Sequence, residues 1–141
     1  MTDLWTVQTA DMFVKFAVSE RYVIGSLHEN GYLFHLDTHE VTFMNWFYGD
    51  PTCAIIGQND QWATMGGANG LTIWQQGVTS DIHIENVFAL REFDPVTIHV
   101  LTDPWREEAA VWEINLVTFS IQRLRSFPDY LNQEYTDDVN W

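Results

Sequence analysis

Residues 20–43, ERYVIGSLHENGYLFHLDTHEVTF, decide how the rest of the chain is read. ERYVIGSL and YLFHL are short runs rich in β-branched and aromatic residues, and each ends on turn-forming residues. Runs of that length and composition are strands rather than helices. Between them, Asn30-Gly31 is the strongest hairpin signal in the chain, because a type I′ turn needs positive φ at both central positions. The stretch therefore predicts an antiparallel hairpin turning at Asn30-Gly31.

The same grammar continues in both directions. DMFVKFAV (11–18) alternates and puts Met12, Val14, Phe16 and Val18 on one face. EVTFMNWFY (40–48) sets Val41, Phe43 and Phe47 opposite Met44, Trp46 and Tyr48. Apolar residues on both faces mean a strand buried twice, or one whose second face meets a partner. CAIIG and QWATM flank a second candidate turn, Gln58-Asn59-Asp60, and GGANG (66–70) is a flexible turn before LTIWQ. DIHIENVFALREF (81–93) begins as a strand, but the spacing of Ile84, Val87, Phe88 and Arg91 also fits a short helix. VTIHVL (96–101) is a strand with Val96, Ile98 and Val100 inward, and AVWEINL and TFSIQRL make a last pair over 110–124. Ser126 and Pro128 stand where a short helix could start.

Strand-like runs at 8–12-residue spacing indicate an all-β fold. At 141 residues, the expectation is a single domain, residues 1–141. Its architecture is expected to be an antiparallel meander forming a twisted sheet, sandwich or roll, with one or two short helices. YLFHLDTHEVTF (32–43) and AVWEINLVTFSI (110–121) echo one another: an aromatic, an apolar residue two on, Asp or Asn, a turn, another strand. Such units build β-propeller blades, but a propeller needs about four blades of four strands. The chain is too short for that, so the echo reads as a repeated hairpin within one meandering sheet.

Charge narrows the function. There are 20 acidic and 6 basic residues, a formal charge of −14, and no Lys or Arg between Tyr22 and Leu90. Displacing counterions from phosphates takes Lys and Arg, so direct binding to nucleic acid or anionic lipid is disfavoured. A basic protein would be drawn in and its approach accelerated. No apolar run reaches the roughly 20 residues of a membrane helix. MTDLWTVQTADM has no basic or continuously apolar leader segment. One cysteine, Cys53 in CAII, precludes an internal disulfide and reads as a buried, inert thiol. Together these features lead one to expect a cytoplasmic protein.

Motifs for chemistry are sparse. HLDTHE (35–40) could bring His35, Asp37 and His39 to one face, but only if the strand ran on through Asp37-Thr38, which resembles a turn. Surface histidines on polar strand faces, with His83 and His99, are the simpler reading, so no metal and no cofactor are expected. GGANG lacks the lysine of a phosphate loop, and no serine sits in a G-x-S-x-G elbow. Asp103, Glu107, Glu108 and Glu113 lie near Trp105 and Trp112, the residue types of a glycosidase cleft. Glu113 should face out, however, with Trp112 and Ile114 in the core. No catalytic residue is assigned.

Aromatic surface is what remains. Seven tryptophans exceed what a core of this size holds, and Trp is enriched at binding hot spots. Trp105, in the TDPWREEA connection, and Trp141, at the end of the sequence, are expected to be exposed. In size, acidity and absence of a catalytic motif, the chain is similar to bacterial immunity proteins, which neutralise a toxin encoded beside them. The resemblance implies a non-enzymatic inhibitor that occludes a basic active site. The contact residues expected are Trp105, Arg106, Glu107, Glu108, Asp137, Asp138 and Trp141. Alternatives are a carbohydrate- or small-molecule-binding β domain, a phage-encoded nucleic-acid mimic and, less favoured, a small hydrolase.

Overall fold

The computed structural model describes residues 3–141. It is all-β: twelve antiparallel strands in three four-stranded sheets, each a simple meander. Sheet I holds β1 (Phe13–Val18), β2 (Tyr22–Leu27), β3 (Asn30–His35) and β4 (Val41–Trp46). Sheet II holds β5 (Cys53–Ile56), β6 (Trp62–Gly67), β7 (Gly70–Gln75) and β8 (Val78–Ile82). Sheet III holds β9 (Val87–Asp94), β10 (Thr97–Thr102), β11 (Ala110–Asn115) and β12 (Ile121–Ser126). Two short 3-10 turns, Leu4–Thr9 and Pro128–Tyr130, are the only helical elements among the described residues. The ambiguous 81–93 stretch is the end of β8, a linker and β9, not a helix.

Four apolar layers hold the sheets together, and strand periodicity assigns residues to them. Tyr22, Ile24, Leu33 and Met44 of sheet I, with Phe47 after it, meet Ala54, Ala63, Met65 and Trp74 of sheet II. On the other side of sheet II, Trp62, Leu71, Ile73 and Ile82 meet Leu90, Ile98, Val100 and Ile114 of sheet III. The two outer faces are covered as well. Val23, Tyr32 and Phe34 lie under Trp5 and Val7 of the first 3-10 turn. Leu101, Val111 and Phe127 lie under Tyr130, Val139 and Trp141 of the C-terminal segment. This is why YVI and YLF read as unbroken apolar runs: both faces of the central strands are buried. The arrangement resembles a short repeat stack, whose end units need covers to stay soluble.

The two echoing stretches do contain equivalent hairpins, but not in the register of the sequence pattern and not within one sheet. β3–β4 and β11–β12 are the last hairpins of sheets I and III, with one turn geometry. His39 N–H donates to His35 O and Phe119 N–H to Asn115 O, each at 2.8 Å. His39 and Phe119 take left-handed φ of 60° and 59°. The equivalent residues are 30–41 and 110–121, two residues earlier in the first copy than the aromatic pattern suggests.

Three local expectations are corrected. The first hairpin turns at His28–Glu29, since Leu27 pairs with Asn30. Gly31 is instead a packing glycine: a Cβ there would stand 2.2 Å from Met65 Sδ. In β1 the register slips between Lys15 and Ala17, breaking the alternation. Met12, Val14 and Val18 are exposed, while Phe13 and Phe16 pack into the layers on opposite sides. In the 96–101 strand Ile98 and Val100 are buried as expected, but Val96 lies exposed in the β9–β10 turn and His99 is buried. The turn expected at Gln58-Asn59-Asp60 lies between β5 and β6, and GGANG turns at Ala68–Asn69.

Candidate functional site

Antiparallel meanders place alternate connections at opposite ends. At one end lie the turns 28–29 and 68–69, the loop 103–109, and the linkers 47–52 and 83–86. Hydrogen bonds stitch these into a belt. Phe47 N–H donates to Glu29 O (2.7 Å) and Asn86 N–H to Ala68 O (2.9 Å). Asp103 N–H donates to Asn86 O (2.8 Å), and Phe127 N–H to Ala109 O (2.8 Å). Asn69 clamps the first linker, its Oδ1 accepting from Tyr48 N–H (3.0 Å) and its Nδ2 donating to Trp46 O (3.2 Å).

The 103–109 loop is where sheet III departs from the others. Sheets I and II join their second and third strands by two residues; sheet III uses seven. Thr102 closes its base, its hydroxyl donating to Ala110 O (3.3 Å) and accepting from Ala110 N–H (3.1 Å). Asp103 Oδ1 accepts from Trp105 N–H (3.1 Å), and its Oδ2 pairs with Arg106 Nε (3.2 Å). Pro104 and Ala109 are buried; Arg106, Glu107 and Glu108 are exposed.

Trp105 is not the free tip that the sequence suggests. It is half-buried, packed edge-on against Phe88 (centroids 5.4 Å) and Tyr130 (6.1 Å) and lying over Tyr135 (4.8 Å). Its Nε1 donates to Glu134 O (3.4 Å), so Trp105 joins the loop to the C-terminal segment. Trp141 is also half-buried, in the outer layer of sheet III, with the Arg91 guanidinium over its ring (4.1 Å) and donating to its carbonyl. Asp137 and Asp138 are exposed on that segment, and Tyr135 Oη donates to Asp137 (2.7 Å). That bond, above all, raises the Tyr135 pKa. The expected contact residues thus fall into an exposed loop trio, two anchors and an outer acidic pair.

The exposed tryptophan is one that sequence reasoning did not single out as a contact. Trp46 is 46% exposed and Tyr48 67% exposed, edge to face with ring centroids 6.1 Å apart. Glu29 fixes them: its Oε1 accepts from Trp46 Nε1 (3.2 Å) and its Oε2 from Gly49 N–H (2.8 Å). The signal was present in the two-sided apolarity of EVTFMNWFY. Both sides of that apolarity are used in packing in part: Met44 and Phe47 enter the layer between sheets I and II and Val41 the outer layer, which leaves Trp46 and Tyr48 outside.

Between the 83–86 linker, the 103–109 loop and β11 lies a cavity of about 300 Å³. His83, Glu85, Asp103, Arg106, Glu108 and Trp112 supply its polar and aromatic lining, and Ile84, Ala109 and Ile121 part of its apolar lining. Trp112 is half-buried, and its Nε1 has no acceptor among the described residues.

His35, Asp37 and His39 of HLDTHE, His99 and Cys53 are engaged elsewhere. His35 sits edge-on to Tyr22 and Trp74 and bonds Thr42 Oγ1 through Nε2 (2.8 Å). Burial, the largest influence, lowers its pKa. His39 stacks on Trp5 (4.4 Å), and Asp37 pairs with Arg21 (3.3 Å), so the HLDTHE triad does not converge. Among the described residues, no group of three His, Cys, Asp or Glu is placed to hold a metal. His99, expected on a polar face, is buried under Phe93 and bonds Glu113 (3.1 Å). Glu113 is half-buried rather than facing fully out. Burial pushes the Cys53 thiol up to about 12, which leaves almost no thiolate at neutral pH.

No family model and no curated protein matches the sequence. Among solved structures, the chain is similar to the N-terminal domain of Nup159, a β-propeller, at 13% identity with a TM-score of 0.51. The match covers 85% of this chain and 32% of that one, so the chain spans about a third of the length of the structure it resembles. At that identity the likeness concerns fold. Each sheet here corresponds to a four-stranded blade, and the first strands β1, β5 and β9 are neighbours, as at the inner edge of a propeller. No helix among the described residues is long and apolar enough to cross a membrane.

Proposed function

We propose that this protein is a non-enzymatic binding protein that docks a basic protein through the belt end of its sheet stack. In the form its charge favours, it is an inhibitor of the immunity-protein kind, covering a cationic site on its target. The observation that carries the reading is the exposed Trp46–Tyr48 pair held by Glu29, at the same end of the stack as the exposed Asp50, Glu107 and Glu108. Acids occur at both ends of the stack, so charge alone does not select one. At each end some acids are engaged, Asp37, Glu92 and Asp94 at the far end and Glu29 and Asp103 at the belt end, so the aromatic pair makes the distinction. The belt end adds a tryptophan and a tyrosine, the residue types that anchor interfaces, to its carboxylates. Carboxylates around such anchors steer a cationic partner and fix its register.

The test is calorimetric titration with the basic proteins encoded by the flanking genes, at about 0.05 and 0.3 M salt, across which the screening length roughly halves. Affinity is expected to fall at least about tenfold with salt, and about tenfold again in Glu29→Lys/Asp50→Lys. A salt-independent affinity, or no binding at low salt, overturns the proposal.

A further inference from the structure

We infer that the cavity between the 83–86 linker and the 103–109 loop is a socket for a single guanidinium side chain, supplied by the basic partner; this rests on the docking reading above. At about 300 Å³, the cavity is at the lower limit of ligand pockets, sized for one side chain or a small organic cation. Its charge selects the occupant. Arg106 is already paired with Asp103, whereas Glu85 and Glu108 form no ion pair among the described residues. Three carboxylates against one guanidinium leave the lining at a net charge of −2 with His83 neutral.

The walls favour a guanidinium over a compact ammonium. The Trp112 ring and the apolar Ile84, Ala109 and Ile121 offer flat, poorly hydrated surface. A delocalised guanidinium stacks on such surface, while its fork of N–H donors reaches carboxylates in plane. Glu85 comes from the linker and Glu108 from the loop, so an occupant between them would be held by two separate segments of the belt. The socket also accounts for the extra length of the sheet III loop: a two-residue turn, as in sheets I and II, would provide neither Glu108 nor the Asp103–Arg106 pair.

The experiment uses the full chain and N-acetyl-arginine amide, with N-acetyl-citrulline amide as the neutral isostere, monitored by the tryptophan indole N–H resonances. The Trp112 signal is expected to shift saturably with the arginine amide, at least about fivefold more tightly than with citrulline. Glu85→Gln/Glu108→Gln should weaken that binding about tenfold. Both residues are exposed, so the variant keeps its fold, which spectral dispersion confirms. No saturable shift at Trp112, or equal binding of citrulline, overturns the inference. The two proposals fail separately. Salt-dependent docking without arginine-amide binding removes only the socket; arginine-amide binding without a docking partner removes the docking surface and with it the assignment of the occupant to a protein partner, leaving a guanidinium-binding pocket.

Discussion

His35 illustrates how a residue chosen as a candidate ligand becomes a structural one. It lies on β3 between Tyr22 and Trp74, and burial lowers its pKa below the ordinary 6.5, against the opposing pull of Glu40 and Asp37. A histidine with a lowered folded pKa takes up a proton more readily when unfolded. Its contribution is therefore complete above pH 6.5 and is lost as pH falls through the lowered folded value. The stability of the wild type relative to His35→Gln, measured by urea unfolding, should shrink as pH is lowered from about 7.5 to about 5. Parallel curves for the two proteins would contradict this assignment. The same scale explains why Asn30-Gly31 misled: the dipeptide signals a turn, but Gly31 is required for the close approach of Met65, and packing set the register.

At the scale of elements, the strands were legible because short runs rich in β-branched and aromatic residues lie between turn residues; β2, β3, β6, β7 and β10 are buried on both faces, so they read as near-continuous apolar runs rather than as alternation. What was not legible is where one sheet stops and the next begins. The linkers 47–52 and 83–86 resemble hairpin connections in composition, and the relation between sheets is set by long-range packing that no local pattern encodes. The 103–109 loop shows the same limit: its acids were rightly read as surface, while Trp105 was not, because its partners Tyr130 and Tyr135 are distant in sequence. Trp105→Ala should cost about 2 kcal/mol, less than the roughly 3–5 kcal/mol of a fully buried tryptophan. Hydrogen exchange should show residues 128–141 losing protection while the three sheets keep theirs. Glu107→Ala/Glu108→Ala should stay within about 0.5 kcal/mol of wild type, as exposed substitutions do. A uniform loss of protection in Trp105→Ala would mean that the residue supports the whole stack rather than the join.

For the whole molecule, three blade-like sheets are stacked and both outer faces are covered by segments of the same chain. Such a body leaves its two ends and its outer strands, β12 above all, exposed. The belt end combines carboxylates, an exposed Trp–Tyr pair and a cavity, and the central claim is that a basic protein docks there. Zero-length carbodiimide coupling, which joins carboxylates to lysines, locates the docked surface directly once the partner is bound. The links on this chain should map to Glu29, Asp50, Glu107 and Glu108, and should disappear at high salt. Links centred on Glu20, Asp60 and Asp94 at the far end, or spread evenly over the surface, would contradict the account.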